Sequence, residues 1–195
     1  MLSQLKKKRT LKGKRYVFVL LLLVAVGGVA YFYQRDIRLL LLTGNLPHKE
    51  IIERVARKYC IDSRLVIAVI MKESSFRVDC IGNAGEIGLM QIMPKSAAKD
   101  WARVKKVPEL SAGELMKPEM NIEVGTWYLA RAVRRWQRYS KYIELALCEY
   151  NAGISRAKKW KPAKFDGEVM NNIKIGSTKL YVRQVMADYN KLKKK

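Results

Sequence analysis

The sequence predicts an all-α protein, a helical domain preceded by a single N-terminal transmembrane helix. From Pro47 onward apolar residues recur at three- and four-residue spacing, and no useful length alternates with period two. The run Tyr16–Tyr33 contains no charge. With 49% hydrophobic residues and modest Gly and Pro, the chain has the composition of a protein that buries a core.

The uncharged run, YVFVLLLLVAVGGVAYFY, would form about 27 Å of helix at roughly 1.5 Å per residue, near the thickness of a bilayer's hydrocarbon core. Tyr16 and Phe18 mark one end and Tyr31, Phe32 and Tyr33 the other, where amphipathic rings favour the membrane interface. Residues 1–35 carry eight Lys or Arg and no acid. A basic flank stays cytoplasmic and sends the following chain across the membrane. A cleavable signal peptide is the rival reading, since Gly28 and Ala30 have small-x-small spacing. The aromatics directly after Ala30 and the length of the run favour a retained anchor. The expected division is a basic cytoplasmic tail (1–15), an anchor (16–34), a connector (35–46), an extracytoplasmic domain (47–190) and a basic tail (191–195). The expected location is the cytoplasmic membrane, crossed once.

Within the domain, residues 48–59 put Ile51, Ile52, Val55 and Tyr59 on one helical face. Asp62 or Ser63 can cap the next helix, 63–74, which carries Leu65, Val66, Val69 and Ile70. Residues 82–88 form a Gly-rich loop, and Pro94 suits the first turn of a helix over 94–103. A long helix over 120–139 carries Ile122, Leu129, Val133 and Trp136. The next spans 141–150 and stops at Gly153. The last, 178–192, stacks Leu180, Val182, Val185, Met186, Tyr189 and Leu192. The domain therefore reads as a bundle of six or seven helices without internal repeats.

The formal charge is +22, and outside the first 35 residues 31 basic residues still face 17 acidic ones. A domain this basic attracts polyanions: nucleic acid, anionic lipid headgroups or an anionic wall polymer. The Lys/Arg clusters at 103–106, 131–138, 156–164 and 191–195 accompany no nucleic-acid motif, so no specific nucleic-acid partner is expected. Cys60, Cys80 and Cys148 are far apart, make no ligand pattern with the single His48, and read as small buried hydrophobes. No metal site and no cofactor is expected.

Glu73 lies four residues after Val69 and three after Ile70, on a face that should be buried, at the end of its helix. Lost hydration and the negative end of the helix dipole both raise a carboxyl's pKa. A carboxylic acid still protonated near neutral pH can donate to a glycosidic oxygen. A glutamate at a helix end is more often solvated, so its sequence context must decide. Glu86, in the Gly loop, and Glu149 are the nearest candidates for a second carboxylate.

That context is a series in fixed order: Glu73-Ser74-Ser75-Phe76; Gly88-Leu89-Met90-Gln91-Ile92-Met93-Pro94; Asn121-Ile122-Glu123-Val124-Gly125-Thr126-Trp127-Tyr128-Leu129; Glu149-Tyr150-Asn151-Ala152-Gly153; and Thr178-Lys179-Leu180-Tyr181-Val182. The second element begins twelve residues after Phe76. Over about 47–190 the series resembles the SLT-type (family 1) lytic transglycosylase catalytic domain of the lysozyme-like superfamily.

The resemblance implies a lysozyme-like fold and a peptidoglycan glycan strand as substrate, cut between N-acetylmuramic acid and N-acetylglucosamine. It implies Glu73 as sole acid then base, giving 1,6-anhydromuramoyl ends. It also implies Gln91 and Met93 lining the sugar cleft, Tyr150 and Asn151 on the opposite wall with Tyr150 near the acid, and Tyr181 orienting Glu73 or the substrate. Read without the family, Met93 is a core filler, and Tyr150 and Tyr181 are ambiguous between core and cleft. The chain departs from the family pattern at Gly82, where many members carry serine, at Ser177, where glutamate is common, and at Cys80 and Cys148, where alanine is usual. A lysozyme-like hydrolase and an inactive wall-binding module are the alternatives.

Overall fold

In the computed structural model residues 46–194 are described. The predicted tail and anchor, and the connector up to residue 45, lie outside them, as does Lys195. Among the described residues no helix is long and apolar enough to cross a membrane.

The first two helices follow the predicted pattern. In α1, Lys49–Tyr59, the residues Ile52, Val55, Ala56 and Tyr59 are buried, whereas Ile51 is half-buried at the edge of the face. The helix ends at Cys60, whose positive φ closes it through hydrogen bonds to the last turn. Cys60 is exposed and Cys148 buried, so the packing reading fails for the first and holds for the second; all three cysteines are free. Asp62 caps α2, Ser63–Glu73, accepting from the Arg64 N–H at 2.9 Å, a bond worth about 1 kcal/mol. Leu65, Val66, Val69 and Ile70 are all but inaccessible to water. Each stabilises the fold by about 1.5–3 kcal/mol.

The expected helix over 94–103 is two pieces. Pro94–Ala98 forms a π-helical turn, and α3 runs from Lys99 to Lys105. Two further short helices escaped the pattern. The first, α4, Ala112–Met116, is started by a capping box between Ser111 and Glu114. Then come α5, Pro118–Trp136, and α6, Tyr142–Ala152. The second unforeseen helix is α7, Ile154–Trp160, which follows Gly153 directly. Last is α8, Gly176–Lys193, where Tyr181, Val182, Val185 and Tyr189 face inward but Leu180 is half exposed.

Helix α5 packs along α6 and α1, and α8 packs against both α2 and α6. Helix α8 therefore bridges α2 and α6. Between α2 and the π turn the chain makes no strand, only isolated bridges joining Ile81 to Ile87 and Ile87 to Ile92. An all-helical scaffold thus holds one knotted-down loop beside the end of α2.

Candidate active site

Glu73 is the last residue of α2 and is half-buried. After it the chain reverses through Ser75 and Phe76, both at positive φ, a conformation that costs an L-residue about 1–2 kcal/mol. Ser74 lies under this reversal and donates its hydroxyl to the Leu89 carbonyl at 2.9 Å, tying the helix end to the loop.

The loop is pinned from α5 as well. The Asn121 side chain accepts from the Met90 N–H at 2.8 Å and donates to the carbonyls of Ile87 (2.8 Å) and Leu115 (2.7 Å). Gly88 has positive φ, and a Cβ there would press into that amide. Gly125 on α5 admits the Met90 side chain against the helix backbone. Asn121 and Ser74 both stand in the motifs but carried no predicted role. The signal was a polar residue at a buried helical register, since a buried amide must have partners.

Two phenols close around Glu73. Tyr181 of α8 donates its hydroxyl to Glu73 Oε1 at 2.7 Å. Tyr150 of α6 donates to the Met90 carbonyl at 2.8 Å and stacks edge-on against Tyr128, with ring centroids 5.8 Å apart. Arg131 lies over the Tyr128 and Trp127 rings, so a cation–π layer backs the Tyr150 position.

Burial pushes the Glu73 carboxyl up to about 7. The Tyr181 hydrogen bond and the neighbouring Lys72 charge oppose that rise, and the negative charge of Glu86 reinforces it. Tyr150 and Tyr181 lie well above the ordinary phenol range, through burial first and the Glu73 charge second. Both phenols therefore stay protonated and act as neutral donors. Chemically this is one carboxyl able to give and take a proton near neutrality.

The other predicted positions are distributed as follows. Gln91, at positive φ, spends its amide N–H bonds on the carbonyls of Cys80 (3.1 Å) and Gly88 (2.9 Å), leaving the amide oxygen directed at Gly82. Met93 is half-buried and precedes the π turn. Asn151 is exposed in the last turn of α6. Glu149 is 1% exposed and accepts from the Trp136 indole N–H at 2.8 Å, with Arg135 at 3.2 Å. It is thus held inside the α5–α6 packing.

An all-helical scaffold with one carboxyl of raised pKa held by a phenol, beside a loop pinned by a second, is the class that fold and site define. The Transglycosylase SLT domain family matches residues 50–173, and the chain belongs to that family. It is similar to the soluble lytic murein transglycosylase of Salmonella typhimurium, 29% identical over 73% of this chain and 22% of the relative. It is also similar to the membrane-bound lytic murein transglycosylase C of Cronobacter sakazakii, 40% identical over 43% of this chain and 24% of the relative. Among solved structures, the 70-kDa soluble lytic transglycosylase of Escherichia coli aligns with TM-score 0.66 and 27% identity, over 74% of this chain and 24% of that one. An inactive mutant of the lytic transglycosylase Slt of Pseudomonas aeruginosa aligns with TM-score 0.65 and 27% identity, over 76% of this chain and 25% of that one. The chain spans about a quarter of these proteins' lengths.

Proposed function

We propose that this chain is a lytic murein transglycosylase that cleaves peptidoglycan glycan strands without water, with Glu73 as acid and then base. The observation that carries the reading is the Glu73 carboxyl, raised by burial to about 7 and held by the Tyr181 hydroxyl at 2.7 Å. Protonated Glu73 gives its proton to the oxygen linking N-acetylmuramic acid to N-acetylglucosamine. The bond from that oxygen to the muramoyl C1 breaks, and the leaving sugar departs with a free 4-hydroxyl. The Glu73 carboxylate then takes the proton of the muramoyl C6 hydroxyl as its oxygen bonds to C1. The product is a 1,6-anhydromuramoyl end, and Glu73 is protonated again. A tethered hydroxyl needs no positioned water, so one carboxyl suffices where hydrolytic glycosidases use two.

Tyr181 would orient the acid, while Gln91, Met93, Tyr150 and Asn151 would contact the glycan. The domain 47–190 would lie outside the cytoplasm, held by a single-pass anchor over 16–34 in the cytoplasmic membrane. The names of the relatives, soluble and membrane-bound murein transglycosylases, and the complex of a structural neighbour with bulgecin A support a murein substrate. The basic surface would add attraction to anionic wall polymers or lipid headgroups that weakens with salt.

Mass analysis of purified sacculi digested by the wild type and by Glu73→Gln tests the chemistry. Anhydro-ended muropeptides are expected from the wild type, and a loss on the order of 10³-fold from the variant. Reducing muramic ends would mean that a carboxylate such as Glu86 activates water, and the enzyme would be a lysozyme-like hydrolase. Undiminished release by Glu73→Gln would overturn both readings.

A further inference from the structure

Gly82 has no conformational reason to be glycine, because its φ lies outside the left-handed region. What glycine provides there is room. A Cβ on residue 82 would overlap Glu86 Oε2 and stand 2.7 Å from Gln91 Oε1. The Gln91 amide cannot turn over, because its nitrogen is committed to the Cys80 and Gly88 carbonyls. Glu86 is held in the same turn: its Oε2 accepts from the Ala84 N–H at 3.0 Å, and its own carbonyl accepts from the Gly82 N–H at 2.8 Å. Two acceptor oxygens thus converge over Gly82. A carboxylate and an amide oxygen repel unless a donor stands between them, and a carboxylate alone has about four acceptor sites. Gly82, Glu86 and Gln91 are all half-buried, so the acceptors are not sealed from solvent. Ser74, next to Glu73 in the chain, donates to the Leu89 carbonyl of the same loop at 2.9 Å, so the loop that carries the pair is tied to the end of the acid's helix, and the Glu86 charge acts on Glu73.

We propose that Glu86 is a substrate-binding residue: its carboxylate and the Gln91 amide oxygen, over Gly82, accept a hydrogen bond from a hydroxyl or acetamido N–H of an amino-sugar ring. The assignment rests on the glycan-cleaving reading for its ligand. The acceptor pair fixes the ring beside Glu73 and makes the contact selective for a donor group. Gly82 is the small residue that permits it.

The test uses the full chain carrying Glu73→Gln, so that ligand is bound and not consumed, with triacetylchitotriose as probe in titration calorimetry. Glu86→Ala weakens the probe about tenfold, the usual consequence of losing a hydrogen bond to a charged group. Glu86→Gln keeps an acceptor oxygen without the charge and weakens it about threefold. Gly82→Ala pushes the carboxylate aside and weakens binding about tenfold on its own, but adds less than threefold to Glu86→Ala. Thermal melting of each variant separates lost binding from lost folding. With Glu73 restored, Glu86→Ala raises KM on sacculi more than it lowers kcat. A Glu86→Ala affinity within twofold of its parent would overturn the proposal, as would independent effects of Gly82→Ala and Glu86→Ala. If the wild type forms no anhydro ends while probe binding still depends on Glu86, the reaction assigned above falls and the acceptor pair stands.

Discussion

Glu149, within α6, and Glu73, at the end of α2, have both been drawn out of bulk water, and their surroundings differ in one respect. Glu149 is 1% exposed and is met by a guanidinium at 3.2 Å and an indole N–H at 2.8 Å. Glu73 is less covered, yet its hydrogen-bonding partner in the fold is a neutral phenol. The first carboxylate is compensated by a full charge and ties α5 to α6. The second has its cation, Lys72, only as a solvent-facing neighbour in sequence, so burial dominates and the proton stays on to about pH 7. One residue type holds two helices together where a partner charge is supplied, and keeps its proton toward neutrality where that charge is withheld.

Truncating the compensated carboxylate gives the largest expected effect on stability. Glu149→Ala strands the Trp136 indole N–H and leaves a gap between α5 and α6, so denaturant unfolding should show a loss of about 3 kcal/mol. A loss below about 1 kcal/mol would mean that the pair is not structural.

The opposite sign is expected at Glu73. Its folded pKa, about 7, lies above the ordinary carboxyl value of 4.5. Below pH 4.5 both folded and unfolded states hold the proton, and the group contributes nothing. Between 4.5 and 7 the unfolded chain releases a proton that the folded one keeps, so stability falls as pH rises; above 7 the deficit is complete. Glu73→Gln should therefore be more stable than the wild type at pH 8 by about 2 kcal/mol, discounted for partial exposure, and equal to it at pH 4. Unfolding curves at the two pH values read this directly, and equal stabilities at pH 8 would show an ordinary surface carboxylate.

The smallest effect is expected at the phenol. Tyr181→Phe removes a hydrogen bond that favours the ionised form of Glu73. The high-pH limb of kcat/KM should move upward by about one unit, and kcat at pH 6 should fall about tenfold as the acid loses its orientation. A downward shift of the limb would assign Tyr181 the wrong role.

The contrast also explains what could be read from the chain. The face Leu65, Val66, Val69 and Ile70 determines that Glu73 shares a buried side, because three- and four-residue spacing is a local property of a helix. The partner identities are not local. Tyr181 lies 108 positions away and reaches Glu73 only because α8 packs on α2. Asn121 serves the loop from 31 to 34 positions away. Helices α4 and α7, of five and seven residues, are too short for a periodic signal, although the Ser111–Glu114 box announced the first. The split after Pro94 arises where the chain leaves the pinned loop, and no propensity in Lys95–Ala98 encodes a π turn. At Gly82, glycine suggested only a lost hydroxyl. The occupants of its space, Glu86 and Gln91, became visible once the loop was closed.

The most direct test of the account is a pH titration of carboxyl carbons by NMR on protein labelled at glutamate, wild type beside Glu73→Gln. One resonance should titrate near pH 7 in the wild type and vanish in the variant, while the remaining carboxyls are unchanged apart from close neighbours such as Glu86. If the resonance lost in Glu73→Gln instead titrates near 4.5, the carboxyl is an ordinary anion at neutral pH and cannot be the acid that breaks the glycan.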